Sequence, residues 1–282
     1  MWIYLTLGSA LLLGLYDLAK KQALKTNDTL WILFASTALS ALFLLPFISQ
    51  GSFPDHLRLM FKAVLVSLSW ISGLGALKHL PITTASTLKA SRPVFVLLGS
   101  ILIFGERLNL MQWAGVILVL ASLFMLSRSS KAEGISFKGN RGFALMVVSI
   151  LTGVASALYD KRIMASLEPQ FVQSWTNIYI SVILLGSILV KRMVDKDWKG
   201  KNLKLDWTLP VIAICITLAD FMYFSALKCD GALLSVISLV RRSSVIVTFA
   251  FGAILFREKK IRSKALDLAV LLTGMIFLVL GS

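Results

Sequence analysis

About ten times along its length the chain enters an apolar run of roughly the 20 residues that a helix needs to cross a bilayer. The runs predict helices over 2–22, 30–49, 60–78, 82–104, 110–127, 142–165, 171–191, 208–228, 232–256 and 263–281. Between them stand polar or helix-stopping residues: Asn27-Asp28, Gln50-Gly51-Ser52-Phe53-Pro54, Leu80-Pro81 and Gly105-Glu106-Arg107. Only 15% of the 282 residues are charged, where soluble domains carry about 25%. The expectation is an all-α, polytopic membrane protein. The first run, from Trp2, has no basic segment before it and no small-residue cleavage site after it, so it is read as the first spanning helix.

The two halves repeat. Leu15-Tyr16-Asp17 returns as Leu158-Tyr159-Asp160, and Ala76-Leu77-Lys78 as Ala226-Leu227-Lys228. Phe104-Gly105-Glu106-Arg107 returns as Phe256-Arg257-Glu258-Lys259. The three matches keep their order at separations of 143, 150 and 152 residues, which chance does not favour. The organisation expected is a first five-helix repeat over 1–127, a connecting stretch over 128–141 and a second five-helix repeat over 142–282. Five is odd, so the second repeat crosses in the opposite sense. Inverted repeats are a transporter architecture, with the substrate site near the bilayer midplane between the halves.

The net charge of +15 is carried mostly by short connections, where topology and anionic lipid headgroups account for it, so nucleic acid is not an expected partner. The connections after helices 1, 3, 5, 7 and 9 hold 19 Lys and Arg residues, against 6 on the other side. That bias places the first set in the cytoplasm and both termini outside an inner cell membrane. Cys215, Cys229, His56 and His79 form no metal-ligand spacing and no nucleophile–base constellation, so neither a cofactor nor an enzymatic activity is expected.

Four cations do not belong to connections. Lys89 and Arg92 fall near the middle of one apolar run, and Arg241-Arg242 near the middle of another. A cation at bilayer mid-depth costs about 2.5–3.5 kcal/mol on insertion scales and is a functional residue by default. Lys89 and Arg92, three apart, share a helix face, and Pro93 can bend the helix beside them. Arg241 and Arg242 stand about 100° apart on an ideal helix, so both line one cavity only if it spans that arc. One of them can instead pair with Asp220. Four cations beside one aspartate match a phosphate, which brings about two negative charges and three acceptor oxygens. Structural ion pairs between helices and snorkelling of displaced helix ends are the alternatives.

The five-plus-five pattern, with Phe-Gly-Glu-Arg at 104–107 and Phe-Arg-Glu-Lys at 256–259, resembles the drug/metabolite transporter superfamily and its EamA-type repeat over essentially the whole chain. Members are commonly described with cytoplasmic termini; the charge count points the other way and is kept. Locally, Thr87-Leu88-Lys89-Ala90-Ser91-Arg92-Pro93-Val94-Phe95 and Val240-Arg241-Arg242-Ser243-Ser244-Val245-Ile246-Val247 resemble motifs of the triose-phosphate/phosphoenolpyruvate translocators. That resemblance implies phosphate contacts for Lys89, Arg241 and Arg242. Arg92 stands where that family has a glutamate, and Trp70 near where it has a histidine. Tyr223 is a nearby candidate for its tyrosine. The organic part of the cargo is therefore expected to differ.

The expected function is a secondary transporter that moves a small organic anion, phosphorylated in the first reading, by alternating access and in exchange for phosphate. A carboxylate or amino-acid exporter and a lipid-phosphate flippase are the alternatives. The candidate binding residues are Lys89, Arg92, Arg241, Arg242, Asp220, Tyr223 and Trp70, with Trp175 and Asn177 as further cavity candidates. Asp17 and Asp160 are candidates for gating, or for helix-end charges beside Lys20, Lys21, Lys161 and Arg162. Glu106 and Glu258 are read as structural. The expected partners are the anionic substrate and membrane lipids; the sequence leaves the oligomeric state open, a monomer included.

Overall fold

The computed structural model describes residues 1–24, 26–76, 79, 88, 92–128, 141–194, 204, 206–244, 247 and 261–281. Lys89 and Glu258, and most of the stretch linking the halves, lie outside the described residues. Ten α-helices stand among the described residues. They are α1 Trp2–Ala23, α2 Thr29–Leu44, α3 Phe53–Ala76, α4 Arg92–Phe104, α5 Leu110–Arg128, α6 Arg141–Met164, α7 Pro169–Val194, α8 Thr208–Lys228, α9 Leu234–Arg241 and α10 Ile261–Leu280. Six of them, α1, α2 with its 3-10 extension, α3, α6, α7 and α8, are long and apolar enough to cross a membrane. No strand occurs among the described residues.

Helix starts follow local chemistry. Asp28 caps α2 by accepting from the Leu30 N–H at 2.9 Å. Asn109 and Gln112 cap α5 reciprocally, the Gln112 N–H donating to Asn109 Oδ1 at 2.8 Å and the Asn109 N–H to Gln112 Oε1 at 3.0 Å. The largest boundary correction is at α3. It starts at Phe53, not at 60, with Pro54 and Asp55 in its first turn, the usual place for both. Arg58, expected in a connection, is therefore helical, and Lys62, expected near the helix start, lies well inside it.

Packing follows a pattern. α1 lies along α8 and α3 along α6; α2 packs on α7, α4 on α9 and α5 on α10. α3 touches α7 as α2 touches α8, and α4 touches α6 as α1 touches α9. Exchanging each helix for the one five places away returns the same set of pairs. Contact register gives the directions. Ser9 meets Ala219 while Asn27, beyond α1, meets Lys204, ahead of α8, so α1 and α8 are antiparallel. Gln173 meets Thr217 while Glu168 meets Lys228, so α7 and α8 are antiparallel too. α6 turns back into α7 within a few residues. α1 and α6 thus run in opposite senses, and Asp17 and Asp160, each near its helix C-terminus, sit at opposite ends of the bundle.

Small residues let these helices approach. Ser69 Oγ donates to the Ser149 carbonyl at 2.7 Å and Ser149 Oγ to the Ser69 carbonyl at 2.6 Å, a reciprocal clasp between α3 and α6. A Cβ at Gly115 of α5 would lie 2.7 Å from the Gly274 carbonyl of α10. The two backbones touch there, and glycine is the residue that permits it.

Candidate functional site

The cations and carboxylates meet in one cavity of about 470 Å³ between α1, α3, α4, α6, α8 and α9. Its lining includes Asp17, Trp70, Arg92, Asp160, Asp220, Tyr223, Arg241 and Arg242, together with Tyr16, Lys20, Lys62 and Phe224. Five cationic and three acidic side chains thus face it among the described residues, an excess of two positive charges.

Both arginines of the pair line the cavity, and α9 stops being regular at this point. Its last helical residue is Arg241; the Arg242 N–H bonds the Leu239 carbonyl at 3.0 Å and the Ser243 N–H the Val240 carbonyl at 3.0 Å, a tighter turn. Arg241 donates from Nη2 to Asp220 Oδ1 at 2.7 Å and lies 4.1 Å from the centre of the Tyr223 ring. Its Nε is buried and finds no acceptor. Arg92, at the first turn of α4, donates to the Gly153 carbonyl on α6 and pairs with no carboxylate among the described residues. Gly153 makes room for it: a Cβ there would stand 2.5 Å from Arg92 Cζ.

One end of the cavity holds a buried ion pair. Lys62 of α3 pairs with Asp160 of α6, and the two side chains are 4% and 7% exposed. The Lys62 ammonium also lies 4.9 Å from the Phe224 ring centre, and Tyr223 Oη donates to Asp160 Oδ2 at 3.4 Å. A polar chain therefore runs from Lys62 through Asp160, Tyr223 and Arg241 to Asp220. Behind it, Lys161 donates to Glu106 at 2.6 Å, and Glu106 accepts from the Leu234 and Ser235 N–H groups at 2.7 and 3.1 Å, capping α9. At the other end Asp17 is exposed, and Lys20 donates to Tyr16 Oη at 3.2 Å.

The residues singled out in the sequence divide accordingly. Asp160 is buried in an interhelical ion pair, which a helix-end charge would not be. Trp175 and Asn177 do not line the cavity. Trp175 Nε1 donates to the Ser49 carbonyl at 3.1 Å beside His56, and Asn177 Nδ2 donates to Ser40 Oγ at 2.7 Å. Lys62 and Lys20 line the cavity and were not singled out. For Lys62 the missed signal was Pro54-Asp55, which sets the start of α3 early enough to carry the lysine into the bundle.

The model of the EamA-like transporter family matches residues 1–128, somewhat under half of the chain. Over 134 residues the chain is 28% identical to a riboflavin transporter of Rhizobium johnstonii (strain DSM 114642 / LMG 32736 / 3841). The match takes in 48% of this chain and 42% of that protein, so this chain spans under half the length of that relative. A solved crystal structure of a protein superposes with a TM-score of 0.75 at 14% identity, over 99% of each chain, and so shares the fold. The chain is thus similar to the EamA-like transporter family over residues 1–128, and six helices among the described residues are long and apolar enough to cross a membrane.

Proposed function

We propose that the protein is a secondary transporter built of two inverted five-helix repeats, moving a small phosphorylated organic anion by alternating access in exchange for phosphate. The observation that carries the reading is the cavity's excess of two cations over acids, with one Arg241 donor buried and without an acceptor. A dianionic phosphate group neutralises that excess, and guanidinium forks suit its oxygens. Arg241, Arg242 and Arg92, joined by Lys89, bind the anionic head. Trp70 and Tyr223 flank the organic part, and Asp17 and Asp160 belong to the two gates. The exchanged helix pairs and the opposite senses of α1 and α6 support the repeat. The motif likeness to triose-phosphate translocators at Lys89 and Arg241-Arg242 supports phosphate recognition. An empty site with unneutralised cations resists crossing a low-dielectric barrier, which favours exchange over uniport.

The Lys and Arg bias supports an orientation with the Asp17 end in the cytoplasm and both termini outside, and the proposed location is an inner cell membrane. The conformation described is then open inward and sealed outward. A second reading is movement of a flat heteroaromatic compound, favoured by Tyr16, Trp70, Tyr223 and Phe224 in the lining and by the similarity to a riboflavin transporter. A thermal-shift panel on the purified protein separates the two. Phosphorylated metabolites and inorganic phosphate are compared with carboxylates, amino acids and riboflavin. Stabilisation by the phosphorylated set alone supports the first reading, and stabilisation only by riboflavin or by carboxylates overturns it.

A further inference from the structure

Among the described residues the two ends of the cavity are held unequally. At the Asp160 end two lysines act as fasteners. Lys62 joins α3 to α6 through Asp160. Lys161 joins α6 to Glu106, which follows α4 and caps α9, and it also donates to the Ala232 carbonyl at 3.0 Å.

The repeat tells what stands at the matching positions of the other end. The separation of 150 that carries Ala76 to Ala226 carries Lys62 to Ile212. The separation of 143 that carries Asp17 to Asp160 carries Leu18 to Lys161. The aspartate is present at both ends, but both lysines are replaced by aliphatic residues. Ile212 and Leu18 are buried in apolar surroundings, 0% and 8% exposed. Among the described residues no cross-helix ion pair holds Asp17, which remains exposed.

From this asymmetry we infer a one-sided lock: Lys62 and Lys161 hold the empty protein closed at the Asp160 end, so its resting state is open at the Asp17 end. Separating a buried lysine from its carboxylate strands both charges in a low dielectric until water reaches them. Opening the Asp160 end carries that penalty, and among the described residues no such pair opposes opening the Asp17 end. The opposite state depends on cargo, which neutralises the cavity cations and lets helices rearrange around a filled site. The inference rests on the alternating-access reading and adds its resting state and the residues that set it.

The test is side-specific labelling of the full-length protein in oriented vesicles without cargo. Ser156→Cys in the cavity wall, in a Cys215→Ala, Cys229→Ala background, is treated with a membrane-impermeant maleimide from either face. The lock predicts labelling at least about tenfold faster from the Asp17 face, the ratio of a modest population bias. Lys62→Ile with Asp160→Asn removes both charges of the buried pair, and Lys161→Leu is a separate variant should the first not fold. Each should bring the two rates within about threefold of each other. Equal rates in the parent protein, or an unchanged ratio in both folded variants, would overturn the lock. If no variant and no added phosphate ever gives labelling from the Asp160 face, alternating access itself fails, a result distinct from loss of the lock alone.

Discussion

Arg241, at the last turn of α9, donates to the Asp220 carboxylate of α8 across 2.7 Å. The pair sits part-exposed in the cavity wall, its side chains 18% and 32% exposed, and the guanidinium keeps a second nitrogen without an acceptor. In the proposed cycle Arg241 is therefore held in place by one anion and presented to another.

Arg241→Gln should remove a charged fork from the anion. Binding of a phosphorylated ligand is expected to weaken by about 1.5–3 kcal/mol, or roughly tenfold to a hundredfold. Arg241→Lys keeps the charge but not the planar fork, and should fall between. Ligand titration of the purified variants measures both. Unchanged affinity in Arg241→Gln removes Arg241 from the site.

Asp220→Asn tests the competition directly. With the carboxylate neutralised, Arg241 is free for the cargo, and anion affinity should rise by about 1 kcal/mol, several-fold, as one competing charge-assisted bond weakens. Turnover should fall, because the anion then leaves more slowly. A comparison of binding affinity with exchange rate reads the two effects separately.

Gly153→Ala probes the seat of Arg92. The added Cβ would stand 2.5 Å from Arg92 Cζ, so the guanidinium must move or the helices part. Overpacking of this kind costs about 1–3 kcal/mol, and the midpoint of thermal unfolding should drop. Gly186→Ala, in a helix interior where a Cβ meets nothing within 4 Å, should not lower it.

Glu106→Gln keeps the shape of the α9 cap but drops its charge, and Glu106→Ala removes both. Loss of a helix cap costs about 0.5–2 kcal/mol, and the alanine variant also strands Lys161. Thermal unfolding should rank the native protein above Glu106→Gln and Glu106→Ala lowest.

Much of the helical layout was legible because hydrocarbon leaves a chain few choices. The apolar runs marked the helices, and Arg92, Arg241 and Arg242 stood out as charges that such runs do not carry without cause. Asp17 and Asp160 stood out through the repeat. What the sequence concealed was depth. Lys62 lies only nine residues into α3 and looked like a charge at a membrane surface. Its burial depends on α6 presenting Asp160 across an antiparallel contact, which no local pattern encodes. Trp175 misled in the converse way: an aromatic beside polar residues resembled a cavity wall, while its indole N–H is used by the Ser49 carbonyl. The pairing of Arg241 with Asp220 was open to reading because both are rare mid-membrane charges, whereas the bond from Arg92 to the Gly153 carbonyl became visible only with the helices assembled.

The most direct test of the account is exchange in proteoliposomes of the full-length protein loaded with labelled phosphate. Phosphate or a phosphorylated metabolite outside should accelerate efflux by at least about tenfold over buffer alone, since a filled site spares the carrier the cost of moving uncompensated cations. The acceleration should disappear in Arg241→Gln. Efflux that is equal with and without an external anion would contradict the account.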